Sequence, residues 1–293
     1  MAEWRVLMNS ISEILIAGGD MRQIYCALAL SEKYDISVTG FDSEYIPDGL
    51  ERYDFSNDKK YECIVLPVPA LNGKDCVSSP CFSGDISLQD IKNSLKKDGI
   101  IFAGKIDGRI KDFFSGFEIY DYMEREELSL KNAVPTAEGA VKIALEELPV
   151  TLNGLKVLIV GMGRIGTALA AVLKGFGADV TAAVRNARGT AKARIAGIKS
   201  VCTKDITNDY GLVFNTVPSM IFDEELLKKF SGDTLFIDLA SKPGGIDFDC
   251  AAELGKKVIW ALGIPGKNAP VSAGEIIAET VTSVLSERSA AYE

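Results

Sequence analysis

The sequence predicts an α/β protein built from two doubly wound domains with parallel sheets, joined by interdomain helices. Three observations predict it. Short apolar runs alternate with helical patterns twice along the 293 residues. The runs are apolar throughout, which marks strands covered on both faces of a parallel sheet. One of them opens straight into "GMGRIG" at 161–166, the glycine spacing that begins a dinucleotide-binding helix.

In the first half, "SEILIAGGD" reads as a strand, "MRQIYCALALSEKY" as a helix and "DISVTGFD" as the next strand. "YECIVLPVPA", "GIIFAGKI" and "GFEIYDY" are further strands, with "SLQDIKNSLKKD" as a helix over 87–98. Residues 71–87 are polar and rich in turn formers, so they read as a loop or small hairpin hanging off the sheet. In the second half, "GLKVLIVG", "ADVTAAVR", "YGLVFNTVP", "GDTLFIDLA" and "KKVIWALGIPG" are strands. The helices between them are "RIGTALAAVLKGFG", "MIFDEELLKKF" and "FDCAAELGK". Lys267, Pro270, Ser272 and Glu275 lie at the start of a last helix.

Between the halves lies "KNAVPTAEGAVKIAL", a helix over 131–145. Its apolar residues recur at core-facing spacings, while Asn132, Pro135, Thr136 and Glu138 crowd its first turn. Proline is tolerated there. The unpaired N–H groups and the dipole of a helix start favour a nearby anion. A capped connector helix with no ligand role stays open as the plainer reading. The expected organisation is therefore a first domain over 1–128, an interdomain helix over 129–150 and a nucleotide-binding domain over 151–271, with a final helix over 272–293 packed back on the first domain.

Composition narrows the function. Hydrophobic residues at 47% and charged residues at 25% fit a packed core. A net charge of −9 argues against nucleic acid as a partner, since phosphate backbones bind basic faces. The six cysteines form no CxxC pair, and no apolar run approaches the roughly 20 residues of a membrane span. The first 20 residues break every apolar run with a polar group, so no signal peptide is expected. These features point to a reduced cytoplasm with mostly buried, inert thiols. Histidine is absent, which excludes His-based triads, a His general base and nearly all catalytic zinc sites.

"VLIVGMGRIG" supplies the cofactor candidates Gly161, Gly163, Arg164, Ile165 and Gly166, in the strand–turn–helix context of a Rossmann-type domain. The following strand ends in Arg185, Asn186 and Arg188, where an NAD site usually carries an acid for the ribose 2′-OH. Arginines there can grip a 2′-phosphate, so NADP is expected, with NAD as the alternative. Thr216, Val217 and Pro218 complete the cofactor set at the carboxyl end of another strand. The first domain's turn, "IAGGDMRQ", lacks the fingerprint and is expected to hold no second dinucleotide; Asp20 and Arg22 are substrate candidates, with a plain N-cap as the alternative for Asp20. Pro67, Pro69, Lys105, Ser241 and Lys242 also fall at carboxyl ends of strands, the usual ligand side.

Taken in order, "AGGDMRQ", "NAVPTAEGA", "GMGRIG", "DLASKPGGIDF" and "LGIPGKNAPVSAGEI" resemble the A subunit of dipicolinate synthase from spore-forming bacteria, over almost the whole chain. The resemblance implies an oxidoreductase of sporulation, working in the mother-cell cytoplasm. It would oxidise a dihydrodipicolinate-type intermediate of the lysine pathway to pyridine-2,6-dicarboxylate, with hydride transfer to NADP⁺. It also implies a flavoprotein-like partner, the B subunit of dipicolinate synthase; a homo-oligomer stays open. On this reading Asn132, Thr136, Ser241 and Ser272 join Asp20 and Arg22 around the dicarboxylate, and Lys242, Lys267 and Glu138 are the catalytic candidates. Glu138 would orient a cation or take the ring proton. Another NADP-dependent oxidoreductase acting on a small carboxylate, or a non-catalytic nucleotide-binding protein, stays open as a rival.

Overall fold

The structure, a computed structural model, describes residues 11–73 and 76–291. Part of the expected first domain (1–10), two residues of the expected loop (74–75) and the end of the expected last helix (292–293) lie outside them. The chain divides into two compact units: residues up to Lys131 together with those from Ala269, and Asn132–Asn268.

The first unit holds β1 (Glu13–Ala17), α1 (Met21–Leu30), β2 (Asp35–Thr39), β3 (Glu51–Arg52), β4 (Tyr61–Val65), α2 (Leu88–Asn93), β5 (Leu95–Ala103), α3 (Gly108–Phe113), β6 (Glu118–Asp121) and α4 (Glu126–Lys131). Its sheet runs β3-β2-β1-β4-β5-β6, parallel throughout. Ile14 and Ile16 of β1 enter one apolar cluster and Leu15 and Ala17 the other. Both faces of the strand are covered, which is why its sequence shows no polar alternation.

The second unit holds α5 (Ala133–Glu147), β7 (Lys156–Val160), α6 (Arg164–Gly175), β8 (Asp179–Val184), α7 (Ala187–Ile195), β9 (Lys199–Cys202), β10 (Leu212–Asn215), α8 (Glu224–Leu227), β11 (Leu235–Asp238), α9 (Phe248–Glu253), β12 (Lys257–Trp260) and α10 (Ile264–Asn268). Its sheet, β12-β11-β10-β7-β8-β9, is also parallel. Each sheet places its first strand beside its fourth, and the strand order reverses there. That switch point is where open α/β sheets bind ligands, at the strands' carboxyl ends. The last helix, α11 (Pro270–Ala291), packs on α1 in the first unit. A Cβ at Gly274 would lie 2.5 Å from the Arg22 carbonyl oxygen and 2.8 Å from the Cys26 nitrogen, so the helices touch backbone to backbone.

Several elements differ from expectation. The helix expected over 87–98 stops at Asn93, and β5 begins at Leu95. Ser87 and Asp90 form a capping box that starts this helix, and Leu95 turns into the core. The expected helix at 220–230 shrinks to α8, Glu224–Leu227. The segment expected as one connector over 129–150 contains the end of α4 and then α5. Helix α5 buries Ala133, Ala137, Ala140, Val141 and Ala144 in the second unit. Residues 76–79 do not hang off the sheet: Val77 is fully buried, and Gly19 N–H donates to the Ser78 carbonyl (2.7 Å). The thiols are less sheltered than expected. Cys26 and Cys63 are buried, with burial pushing both far up, whereas Cys202 is exposed.

Candidate functional site

In the second unit the fingerprint turn joins β7 to α6. Gly161 has φ +93°, a conformation that favours glycine. A Cβ at Gly166 would lie 2.0 Å from the Gly161 carbonyl oxygen, so α6 approaches the turn as only glycine permits. Gly163 differs. It sits at the N-cap of α6 with no side-chain cap, and a Cβ there would meet nothing within 4 Å. The turn is therefore tight at its ends and open in the middle, where backbone N–H groups and the helix dipole can receive a pyrophosphate. Arg164 is exposed and Ile165 half-buried at the start of this helix.

The carboxyl ends of β10 and β11 brace this turn. Thr216 Oγ1 donates to the Val160 carbonyl (2.8 Å), tying β10 to the end of β7. Next to it lies a fully buried pair that the sequence does not single out, Asn215 and Asp238. Asn215 Nδ2 donates to Asp238 Oδ1 (2.8 Å) and to the Val217 carbonyl (3.0 Å). Asp238 also accepts from the N–H groups of Ala240 (2.9 Å) and Gly245 (2.8 Å). One carboxylate thus shapes both strand-end loops, 215–218 and 239–245. The signal was present in "LVFN" and "LFID", apolar runs that each end on a polar residue. The loops present Val217 half-buried and Pro218, Ser241 and Lys242 exposed.

At the end of β8, Arg185 and Arg188 are exposed, and neither has an ion-pair or hydrogen-bond partner among the described residues. Asn186 is committed otherwise: its Oδ1 accepts from Gly189 N–H (2.9 Å) and caps α7. That engages its side-chain oxygen in the helix cap and leaves the two guanidinium groups as the fully open donors.

The first unit's glycine turn is filled by its own chain. A Cβ at Gly18 would lie 2.8 Å from Val77 Cγ1, and Gly19 N–H is used by Ser78. Asp20 caps α1 through Arg22 N–H (3.0 Å) and pairs with the Arg22 guanidinium through both oxygens (2.8 and 3.1 Å to Nε, 2.8 Å to Nη2). Arg22 Nη2 also donates to the Val68 carbonyl (3.2 Å). A carboxylate of the protein already stands where an anion would meet this helix dipole. Burial alone would push Asp20 up; the hydrogen bonds and charge of Arg22 outweigh it and hold the carboxyl below its usual value. A depressed carboxyl contributes stability that is present above its unfolded pKa and lost as pH falls through the folded one. Asp20→Asn keeps the cap and removes the charge. It should lower the melting temperature at pH 7, and the gap to the parent chain should close as pH drops below about 4; a gap constant across pH would show that the ion pair does not stabilise the unit.

Helix α5 differs from the expected open tip. Asn132 has helical backbone angles and its side chain caps nothing. The Thr136 hydroxyl is buried and donates to the Asn132 carbonyl (2.7 Å). Gly139 packs against α10, where a Cβ would lie 2.2 Å from Ile264 Cγ2. Much of "NAVPTAEGA" is thus explained by packing. Glu138 is the exception, exposed and without a partner among the described residues, as are Lys242 and Lys267. Ser272 is exposed on the first turn of α11.

No group of acidic or cysteine side chains among the described residues is arranged to hold a metal ion, and no described helix is long and apolar enough to cross a membrane.

Comparison with known proteins adds to this geometry. Residues 13–123 match the N-terminal domain of the dipicolinate synthase A subunit, and residues 131–243 match the NAD binding domain of D-isomer specific 2-hydroxyacid dehydrogenases. The second unit is accordingly a nicotinamide-dinucleotide-binding domain of the dehydrogenase type. The dipicolinate synthase A subunit of Bacillus subtilis is 30% identical over 288 residues, 94% of this chain and 96% of that protein. A crystal structure of the B. subtilis dipicolinate synthase A chain matches with a TM-score of 0.85 at 30% identity, over 97% of this chain and 98% of that one. The A-subunit structure from Bacillus halodurans matches with a TM-score of 0.86 at 27% identity, over 94% and 97%. On identity, coverage and fold together, the chain belongs to the family of dipicolinate synthase A subunits.

Proposed function

We propose that this chain is the dehydrogenase component of a dipicolinate synthase. It would oxidise a dihydrodipicolinate-type dicarboxylate to pyridine-2,6-dicarboxylate with NADP⁺, in the cytoplasm of a sporulating mother cell and together with a flavoprotein-like B subunit. The observation that carries the reading is the open backbone at Gly163 between the tightly packed Gly161 and Gly166, in a chain similar over nearly its whole length to the dipicolinate synthase A subunit. A bound nicotinamide would supply the hydride acceptor. The ring loses one hydride and one proton, and the electron pair left by the proton completes the aromatic sextet. The thermodynamic pull of aromaticity lets a modest base suffice, which fits a chain with no histidine.

The chain's own residues divide the remaining tasks. A dianion must shed water to react, and donors have to replace that hydration. Lys242, Lys267, Ser241 and Ser272 are cations and hydroxyls suited to it, all at least partly open to solvent. Arg22, steadied by Asp20, keeps Nη1 for a carboxylate. Thr136, already donating to Asn132, acts as a positioning residue near Glu138, the proposed proton acceptor or cation-orienting group.

The test is to incubate the purified chain, with and without the B subunit, with dihydrodipicolinate and NADP⁺ and to follow the reduced cofactor. Turnover is expected with the partner present and should fall strongly in Glu138→Gln and Lys242→Met at unchanged melting temperature. No reduced cofactor in the complex overturns the reaction, and full turnover by the chain alone overturns the need for the partner.

A further inference from the structure

On the first unit the dipole of α1 is already met by Asp20, and Arg22 is largely spent on Asp20 and Val68. With Nε and Nη2 engaged, Arg22 has only Nη1 left for a ligand, so a dicarboxylate calls for a second cation there. At the carboxyl end of β5 stands Lys105, with φ +60°, the one described residue other than glycine at positive φ. Glycine or asparagine would take this conformation more easily, and a lysine held in it is strained. The strain is maintained locally: Asp121 Oδ1 accepts from Lys105 N–H (3.2 Å) and Oδ2 from Ile106 N–H (2.8 Å). The Lys105 side chain returns nothing to the fold. It is exposed and has no hydrogen bond or ion pair among the described residues.

Its place in the unit is specific. A Cβ at Gly104 would lie 2.4 Å from Val68 Cβ, and the Val68 carbonyl receives Arg22. The neighbouring Pro67 lies 3.0 Å from a Cβ built at Gly19, and the Gln23 side chain folds over the same glycine, its Cγ 2.3 Å from that position. Gln23 is 1% exposed, yet neither its amide nitrogen nor its oxygen has a partner among the described residues. Buried polar groups are nearly always hydrogen-bonded, so an orphaned amide marks a position where something else completes the bonds. The segment 67–68 therefore has a strained, unpaired cation on one side and an unpartnered buried amide on the other, both on the ligand side of the sheet.

We propose that Lys105 is the first unit's anchor for a carboxylate of the substrate, with the Gln23 amide as its neutral companion. This rests on the dicarboxylate reading above. A left-handed conformation held in place by Asp121 fixes where the lysine stem leaves the backbone, so the strain serves to aim the ammonium.

Lys105→Gly separates the two roles, because glycine relieves the strain and removes the cation together. The full chain, with NADP⁺ present, is titrated with pyridine-2,6-dicarboxylate by calorimetry alongside Lys105→Arg, and NADP⁺ binding and melting temperature are measured for each. The expected result is an unchanged or higher melting temperature and unchanged NADP⁺ binding for Lys105→Gly. Its dicarboxylate affinity should fall roughly tenfold to a hundredfold, the worth of a charge-assisted contact, with Lys105→Arg largely restoring it. If the parent chain and Lys105→Gly bind the dicarboxylate equally, Lys105 is only a turn residue and the proposal fails while the substrate reading stands. If the parent binds NADP⁺ but no dicarboxylate, alone or with the B subunit, both fail together.

Discussion

Gly166→Ala is expected to destabilise the second unit by roughly 3–5 kcal/mol and to lower its melting temperature by about 10 °C, whereas Gly163→Ala should leave it unchanged. The contrast rests on two Cβ positions three residues apart. At Gly166 the new atom would lie 2.0 Å from the Gly161 carbonyl oxygen and 3.4 Å from Ile159 Cγ2. The first is backbone at the end of a central strand, so α6 must shift bodily and leave its contacts with the sheet. At Gly163 the new methyl group meets nothing within 4 Å, and φ is −80°, open to any residue. Its effect should appear only when a pyrophosphate approaches, as a loss of dinucleotide affinity of about tenfold or more. Calorimetric unfolding and dinucleotide titration on both variants decide it. Undiminished binding in Gly163→Ala would remove the phosphates from this turn.

Arg185→Ala should raise the Kd for NADP⁺ by roughly tenfold to a hundredfold and leave that for NAD⁺ almost untouched. Both Arg185 and Arg188 are exposed and neither is engaged with a described residue, so removing them costs the fold little. Asn186, between them, is held by the α7 cap and cannot move to compensate without uncapping the helix. Arg188→Ala should act in the same direction, and the double variant should lose most of the preference. Titrating each variant with both dinucleotides gives the answer; an unchanged NADP⁺/NAD⁺ ratio in the double variant would assign the preference elsewhere.

Much of the architecture was legible because its causes are local or periodic. Strands such as 156–160 are apolar on both faces, and the turn that follows needs glycine at fixed offsets. The elements that went unseen lack those causes. Helix α7, "ARGTAKARI", buries only Ala193 and so carries no apolar stripe. Strand β3 is two exposed residues at a sheet edge, Glu51 and Arg52, too short for a pattern. At the candidate site the types of residue were legible and their engagements were not. Asn186, Thr136, Asp20 and Arg22 are polar residues at ligand-side positions, and each proved to be bonded within its own unit.

By itself, then, the sequence determined two parallel sheets, the glycine turn of the second unit and the basic end of β8, since each follows from periodicity, steric need or charge over a few neighbouring residues. Only the tertiary structure decided which polar groups are spent and which are open. Val68 reaches Arg22 across 46 positions, Asp238 reaches Asn215 across 23, and the loop at 76–79 closes over the turn at Gly18. Such pairings depend on which strand ends the topology brings side by side. Chain-local chemistry does not encode that, so Lys105, in the sequence one of several polar residues at strand ends, is set apart from the others only once its backbone angle and its lack of a partner are seen.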